Sequence, residues 1–201
     1  MFTGQSITLA PLNAERDAAS LFACSHGTPD IESLWRYLPY GPFASETAMR
    51  DWMAAQETDG ATLFFTVTSR SLERPVGMIS ILSVIPQHGR AELGHIWYSP
   101  AVQRTKVNTE SVYLLLCHLF DELHYRRAEW KCDDRNAASK RAALRLGFQY
   151  EGLFRQHQIV KGENRDTAWF AMLDNEWPRR KANFERWLYE DDSISLSELN
   201  A

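Results

Sequence analysis

No apolar run in the 201 residues approaches the ~20 that a membrane-spanning helix needs. No transmembrane segment is therefore expected. Cysteine is scarce: Cys24, Cys117 and Cys132 form an odd set without metal-ligand spacing. They read as reduced thiols of a cytoplasmic protein, and no metal site is expected. Positive charge is not in surplus either. The 22 Lys and Arg stand against 26 Asp and Glu, a formal charge of −4, which argues against nucleic acid as the main partner. That balance permits a cationic acceptor such as an amine. Residues 1–12 lack a basic stretch followed by a long apolar one, so no secretory leader is expected there. Internal repeats and low-complexity segments are absent. What remains is a globular composition, long enough for one sizeable core and short for two.

The most informative stretch runs from Ala91 to Leu123. Ala91 to Tyr98 mixes apolar and aromatic residues with Glu92 and His95 and reads as a strand. Pro100 removes a ladder donor and ends it. The loop from Ala101 to Asn108 is polar and basic. Beyond it Val112, Leu115, Leu116, Leu119, Phe120 and Leu123 recur at helical spacing, one face of a helix packed on a sheet. A basic loop thus sits at a helix start, where unpaired N–H groups and the positive dipole end favour an anion.

The remaining elements alternate around this stretch. Ser6 to Ala10 reads as a first strand. Asn13 caps a helix through Cys24, Asp30 caps a short one from Ile31 to Tyr37, and Ser45 starts one through Gln56. Ala61 to Ser69, Pro75 to Ile85 and Arg127 to Cys132 read as strands. A helix from Ala137 to Leu146 ends at Gly147. Phe148 to Val160 and Arg165 to Leu173 flank a hairpin turn at Lys161 to Asn164. Trp177 to Glu190 reads as helical, and the acidic tail from Asp191 is expected to be loose. The order predicts one α/β domain over residues 1–190, a mixed sheet with helices on both faces.

Five segments carry a family resemblance: Gly77–Pro86, Ala91–Pro100, Gln103–Ser111, Asn136–Gly152 and Arg155–Pro178. With them the chain resembles the GNAT superfamily of acyl-CoA N-acyltransferases, in the branch of the ribosomal-protein N-terminal acetyltransferases, over roughly Ile7 to Pro178. The most specific piece is Asn136 with Ser139, followed by Leu146-Gly147-Phe148. The loop departs from the family's Gln/Arg–x–x–Gly–x–Gly/Ala pattern. It begins at Gln103, but Lys106 replaces the first glycine and Asn108 the second small residue. The resemblance implies a mostly antiparallel central sheet with a C-terminal helix, and acetyl-CoA or another acyl-CoA as donor. It implies donor contacts from Trp97, Tyr98, Gln103, Arg104, Thr105, Lys106, Val107, Asn108, Thr109 and Asn136. The partners expected are a CoA thioester and an amine, with neither nucleic acid nor membrane; a homodimer is compatible with the reading.

Acyl transfer from a thioester to an amine needs a proton acceptor, donors for the oxyanion and help for the departing thiolate. Glu92 on the central strand is the candidate acceptor. Its alternative is an ion pair with a cation such as Arg127 or Arg165. His95 ranks below it as a core histidine. Backbone N–H groups near Ile96 to Tyr98 would serve the oxyanion if the strand bulges there. The resemblance assigns the thiolate to Ser139. Many relatives use a tyrosine one turn on, where Ala142 and Ala143 stand here. Trp35, Tyr37, Tyr40 and Phe43, with Arg155, His157 and Trp169, are candidates for the acceptor pocket; for any one of them alone the ordinary core reading wins. Arg155 and Arg165 could also meet a carboxylate on the acceptor or on a succinyl-type donor. The expected activity is direct acetyl transfer to a primary amine. The alternatives are a longer or succinyl-type acyl group, or a non-catalytic acyl-CoA-binding module lacking the loop glycines. A protein N-terminus, a lysine, a polyamine and an antibiotic-like amine all remain open as acceptors.

Overall fold

Side-chain oxygens decide where the helices start. In the computed structural model, which describes residues 1–201, Asn13 Oδ1 accepts from the Arg16 N–H at 2.8 Å and opens α1, Ala14–Ser25. Thr28, rather than Asp30, caps α2, which is only Pro29–Glu32; Pro29 fits the first turn, and the chain then tightens into a 3-10 turn at Ser33–Trp35. The longer helix expected from Ile31 to Tyr37 is absent for that reason. Ser45 caps α3, Glu46–Asp59, and Gly60 ends it at φ +67°. The remaining helices are α4 (Lys106–Cys117), α5 (Ala137–Arg145), α6 (Trp177–Glu185) and α7 (Leu196–Leu199). None is long and apolar enough to cross a membrane.

Eight strands form a mixed sheet: β1 (Phe2–Thr3), β2 (Ile7–Pro11), β3 (Thr62–Ser69), β4 (Arg74–Ile85), β5 (Arg90–Tyr98), β6 (Arg127–Asp133), β7 (Gln149–Val160) and β8 (Glu163–Leu173). Their order is β1-β2-β3-β4-β5-β6-β8-β7. The β5–β6 pair is parallel, from Arg90↔Arg127 to Leu93↔Trp130. The pairs β1–β2, β2–β3, β3–β4, β6–β8 and β7–β8 are antiparallel.

The chain makes two compact units, residues 1–82 with 94–114, and residues 83–93 with 115–201. In the first, Ala18, Leu21, Met49 and Met53 of α1 and α3 enclose Trp35, Phe64, Met78 and Trp97. Glu110 of α4 is fully buried and accepts from the N–H groups of Gln5 (2.7 Å), Ser6 (2.7 Å) and Ile7 (3.0 Å). Gly4 precedes them because a Cβ there would lie 2.3 Å from the Glu110 carboxyl carbon. This clamp holds the start of α4 against the β1–β2 turn.

In the second unit Phe148, Phe170 and Phe184 are the largest fully buried side chains, and Trp177 stacks on Phe120 at 5.4 Å. After Cys117 the helix continues as a π-turn, His118–Glu122, and Leu123 is 44% exposed. The wider turn shifts the helical phase, so Leu123 leaves the apolar face on which simple periodicity puts it. Helix α6 likewise ends in a π-turn, Arg186–Glu190. The tail, expected to be loose, carries α7, begun by a Ser195–Glu198 capping box. Leu196 is buried, and Asn200 binds the Arg145 carbonyl while its own carbonyl accepts from Arg180.

Candidate active site

In the first unit, β5 ends at Tyr98 and Pro100–Val102 make a 3-10 turn before α4 begins at Lys106. Thr105 caps that helix: its hydroxyl donates to the Val102 carbonyl at 2.6 Å and accepts from the Val107 N–H at 3.3 Å. Arg104 takes the left-handed conformation of the loop, φ +63°. Lys106 and Asn108 stand where the family pattern has small residues, yet both are helical, and a Cβ is no obstacle in a helix. A helix start with two nearby cations suits a pyrophosphate, so the residues present fit that group.

Not every residue expected to hold the donor is available in the same way. Thr109 is fully buried and Val107 nearly so, which leaves them only backbone to offer. Gln103 donates through Nε2 to the Tyr98 carbonyl at 3.1 Å, and the Tyr98 ring is itself buried. Trp97 is 3% exposed, with its ring 5.0 Å from Trp35, so its side chain belongs to the core. The Asn108 Oδ1 is buried with no hydrogen-bond partner.

Strand β5 is kinked one residue after its midpoint: His95 has φ +53°. That is a strained conformation for a residue other than glycine and the mark of a bulged strand. The expectation placed freed donors at Ile96 to Tyr98, directly after this position.

The aromatic candidates divide. Trp35 is fully buried and donates from Nε1 to the Ser25 carbonyl at 3.0 Å, so it is a core residue rather than a pocket wall. Tyr37 is half-buried beside the Arg36 guanidinium. Tyr40 and Phe43 are half-buried and join rings the sequence reading did not single out: Tyr40 lies 4.1 Å from Trp52 and 5.5 Å from His95, and Phe64 lies 5.0 Å from His95. The Tyr40 hydroxyl is buried without a hydrogen-bond partner, and burial pushes its pKa up. Burial pushes His26 below its ordinary range, and as a neutral ring it accepts the Phe43 N–H on Nε2 at 2.9 Å. The only sequence signal for Trp52 was its helical spacing with Met49 and Met53; none pointed to His26.

In the second unit Glu92 is 8% exposed and is ion-paired. Its partner is Lys131, at 2.7 Å, and neither Arg127 nor Arg165 fills that role. Arg127 instead binds Glu129 and Glu151. The contacts Glu92 makes with Lys131 and with the Ser83 hydroxyl both use Oε2, so Oε1 is the oxygen outside the ion pair. Lys131 also contacts Glu129 at 2.9 Å and sits 4.1 Å over the Trp169 ring.

Asn136 is the N-cap of α5, its Oδ1 accepting from the Ser139 N–H at 3.0 Å. The Ser139 hydroxyl accepts from Trp130 Nε1 at 2.9 Å. Gly147, at φ +92°, ends the helix as the motif requires. Arg155 and His157 are exposed on β7, where His157 Nδ1 lies 3.0 Å from the Thr167 hydroxyl. His157 and Trp169 are 6.0 Å apart, so that part of the expected pocket set does cluster. No group of His, Cys, Asp and Glu is placed to hold a metal ion.

Comparison with known proteins fits this geometry. The chain is 36% identical to a GCN5-related N-acetyltransferase from Brucella melitensis of known structure, covering 99% of this chain and 93% of that one with a TM-score of 0.94. It is 44% identical to a probable GNAT-family acetyltransferase from Chromobacterium violaceum, covering 88% and 87% with a TM-score of 0.81. It is 28% identical over 98 residues to the ribosomal-protein-serine acetyltransferase of Escherichia coli, 49% of this chain and 54% of that one. The family model for the acetyltransferase (GNAT) domain matches residues 6–149. The chain therefore belongs to the GNAT family of N-acetyltransferases, enzymes that take their acyl group from a CoA thioester.

Proposed function

We propose that this enzyme transfers acetyl from acetyl-CoA directly to a primary amine, and that the acceptor is the N-terminus of a protein. The observation that carries the reading is the β5–α4 joint: a strand kinked at His95, then a capped, basic helix start at Lys106. The relative from Escherichia coli, whose name gives a ribosomal protein as its substrate, supports the choice of acceptor.

Each residue then has a defined task. The α4 start, with Arg104 and Lys106, holds the donor's pyrophosphate. Backbone N–H groups after the His95 kink stabilise the oxyanion. Glu92 takes the proton of the attacking amine on Oε1. The C–N bond forms, the C–S bond breaks, and the electron pair stays on sulfur, where the Ser139 hydroxyl donates a hydrogen bond. Transfer is direct, and two of the three thiols are poorly suited to carry an acyl group. Burial pushes Cys24 up to about 11 and also raises Cys132, the reverse of an activated nucleophile.

Release of CoA thiol from acetyl-CoA tests the reading with a panel of peptides with free N-termini, blocked peptides carrying lysine, and polyamines. Turnover confined to free N-termini is expected. Turnover with polyamines alone would overturn the acceptor class.

A further inference from the structure

Ser139 lies in the first turn of α5. A helical serine often spends its O–H on a carbonyl one turn back, which removes it as a donor to anything else. Here the oxygen is engaged differently. Trp130 Nε1 stands 2.9 Å from Ser139 Oγ. An indole N–H can only donate, so Ser139 is the acceptor in this bond, and its own proton must point elsewhere.

The geometry is held from both sides. Trp130 is 4% exposed, registered against Leu93 in β5 and Phe170 in β8, with its ring 5.7 Å from Phe148. Asn136 Oδ1 fixes the Ser139 backbone at 3.0 Å. With the indole on its oxygen, the Ser139 hydroxyl keeps its proton for another acceptor. A bond donated into an oxygen also polarises its O–H and strengthens it as a donor.

We infer that Trp130 is a positioning residue for thioester cleavage: its indole N–H fills the acceptor side of Ser139 and leaves the hydroxyl as a donor to the departing sulfur. This rests on the role proposed above for Ser139. As the C–S bond breaks, its electron pair moves to sulfur. Ser139 bonds that sulfur without giving up its proton, and the proton released by the amine balances the thiolate through solvent.

The test is steady-state kinetics with acetyl-CoA and the fastest amine of the panel, on Ser139→Ala, Trp130→Phe and the double variant. Ser139→Ala should lose roughly ten- to a hundred-fold in kcat. Trp130→Phe should lose about three- to ten-fold in kcat with KM for acetyl-CoA unchanged, the range of one neutral hydrogen bond. The double variant should be no slower than Ser139→Ala, because the indole acts only through that hydroxyl. A packing role for Trp130 would add its loss in full to that of Ser139→Ala, and that result overturns the inference. A slow Ser139→Ala beside a wild-type Trp130→Phe overturns the inference and leaves Ser139 its role. A wild-type Ser139→Ala overturns both. Should Trp130→Phe fail to fold, benzothienylalanine at position 130 keeps the indole shape without the N–H and carries the same test.

Discussion

The Lys131 ammonium lies 2.7 Å from Glu92 Oε2 and 2.9 Å from Glu129 Oε2. Glu92 and Glu129 are register partners on the parallel strands β5 and β6. Two carboxylates so placed repel, and the cation shared between them offsets that repulsion. Arg90 and Arg127 also reach Glu129, so Glu129 keeps cationic partners without Lys131, whereas Glu92 has no other ion pair.

This arrangement makes Glu92→Gln an informative substitution. The amide keeps the side-chain shape and leaves Lys131 its bond to Glu129. As the proton acceptor, Glu92 is expected to account for ~10²–10⁴-fold in kcat. Affinity for CoA should stay within about twofold, since the pyrophosphate is assigned to the α4 start. Turnover measured beside a CoA titration checks this. A loss of only a few-fold in a folded variant would make Glu92 a structural partner of Lys131.

Three carboxylates tie stability to pH. Burial alone would raise Glu129, but bonds from Lys131 and Arg127 outweigh it and hold it below the usual range. Burial would likewise raise Asp133, and Arg135 outweighs it. The Arg127 guanidinium pulls Glu151 down directly. A depressed folded pKa gives stability that is fully present above the unfolded value, about 4, and lost as pH falls through the folded one. The thermal midpoint should be flat down to about pH 5 and fall below about pH 4. Arg127→Met should shrink that acid-induced fall, because Glu129 and Glu151 lose their shared partner. A midpoint with the same acid dependence in both proteins would contradict the assignment.

The loop makes a separate prediction. Arg104→Ala and Lys106→Ala should each weaken CoA binding about two- to five-fold at low salt, the scale of an exposed ion pair. The difference from wild type should narrow as salt screens it. Arg104→Gly should weaken binding as much as Arg104→Ala does, yet be the more stable of the two, because glycine relieves the strain at φ +63°. Equal CoA affinity in all four proteins at low salt would move the phosphate site elsewhere.

Elements set by local chemistry were legible in the sequence. Asn13 and Ser45 cap the helices expected of them, and Gly147 takes the left-handed conformation expected at a helix end. The burial of Val112, Leu115, Leu116, Leu119 and Phe120 was likewise written in their spacing. Features that depend on distant partners were not legible. Nothing near Glu92 announced that Lys131, rather than Arg127, would reach it, since the pairing follows from the register of β5 on β6. The Trp130–Ser139 bond joins a strand to a helix, and neither residue type signals the other. Lys106 and Asn108 are both helical. Measured against a glycine pattern they look like obstacles, but the left-handed residue of this loop is Arg104.

The Glu110 clamp shows such a distant relation most plainly, and it makes the last prediction. Glu110, early in α4, is fully buried and turned onto the N–H groups of residues 5–7. The carboxylate takes three charge-assisted bonds from one turn of backbone, which offset the cost of burying it. Glu110→Ala would strand those three donors. At least one is buried, and a stranded donor costs on the order of 1–3 kcal/mol. Glu110→Ala should therefore lower unfolding free energy by about 3 kcal/mol, with Glu110→Gln intermediate because its amide retains one acceptor oxygen. Gly4→Ala should destabilise from the other side, since its Cβ would fall 2.3 Å from the carboxyl carbon. Combining Gly4→Ala with Glu110→Ala should cost less than the sum of the two, because the second change removes the atoms that the first one strikes. Urea unfolding of the single and double variants measures all of this. Strict additivity, or a loss below about 1 kcal/mol in Glu110→Ala, would mean that the β1–β2 turn holds its place without the clamp.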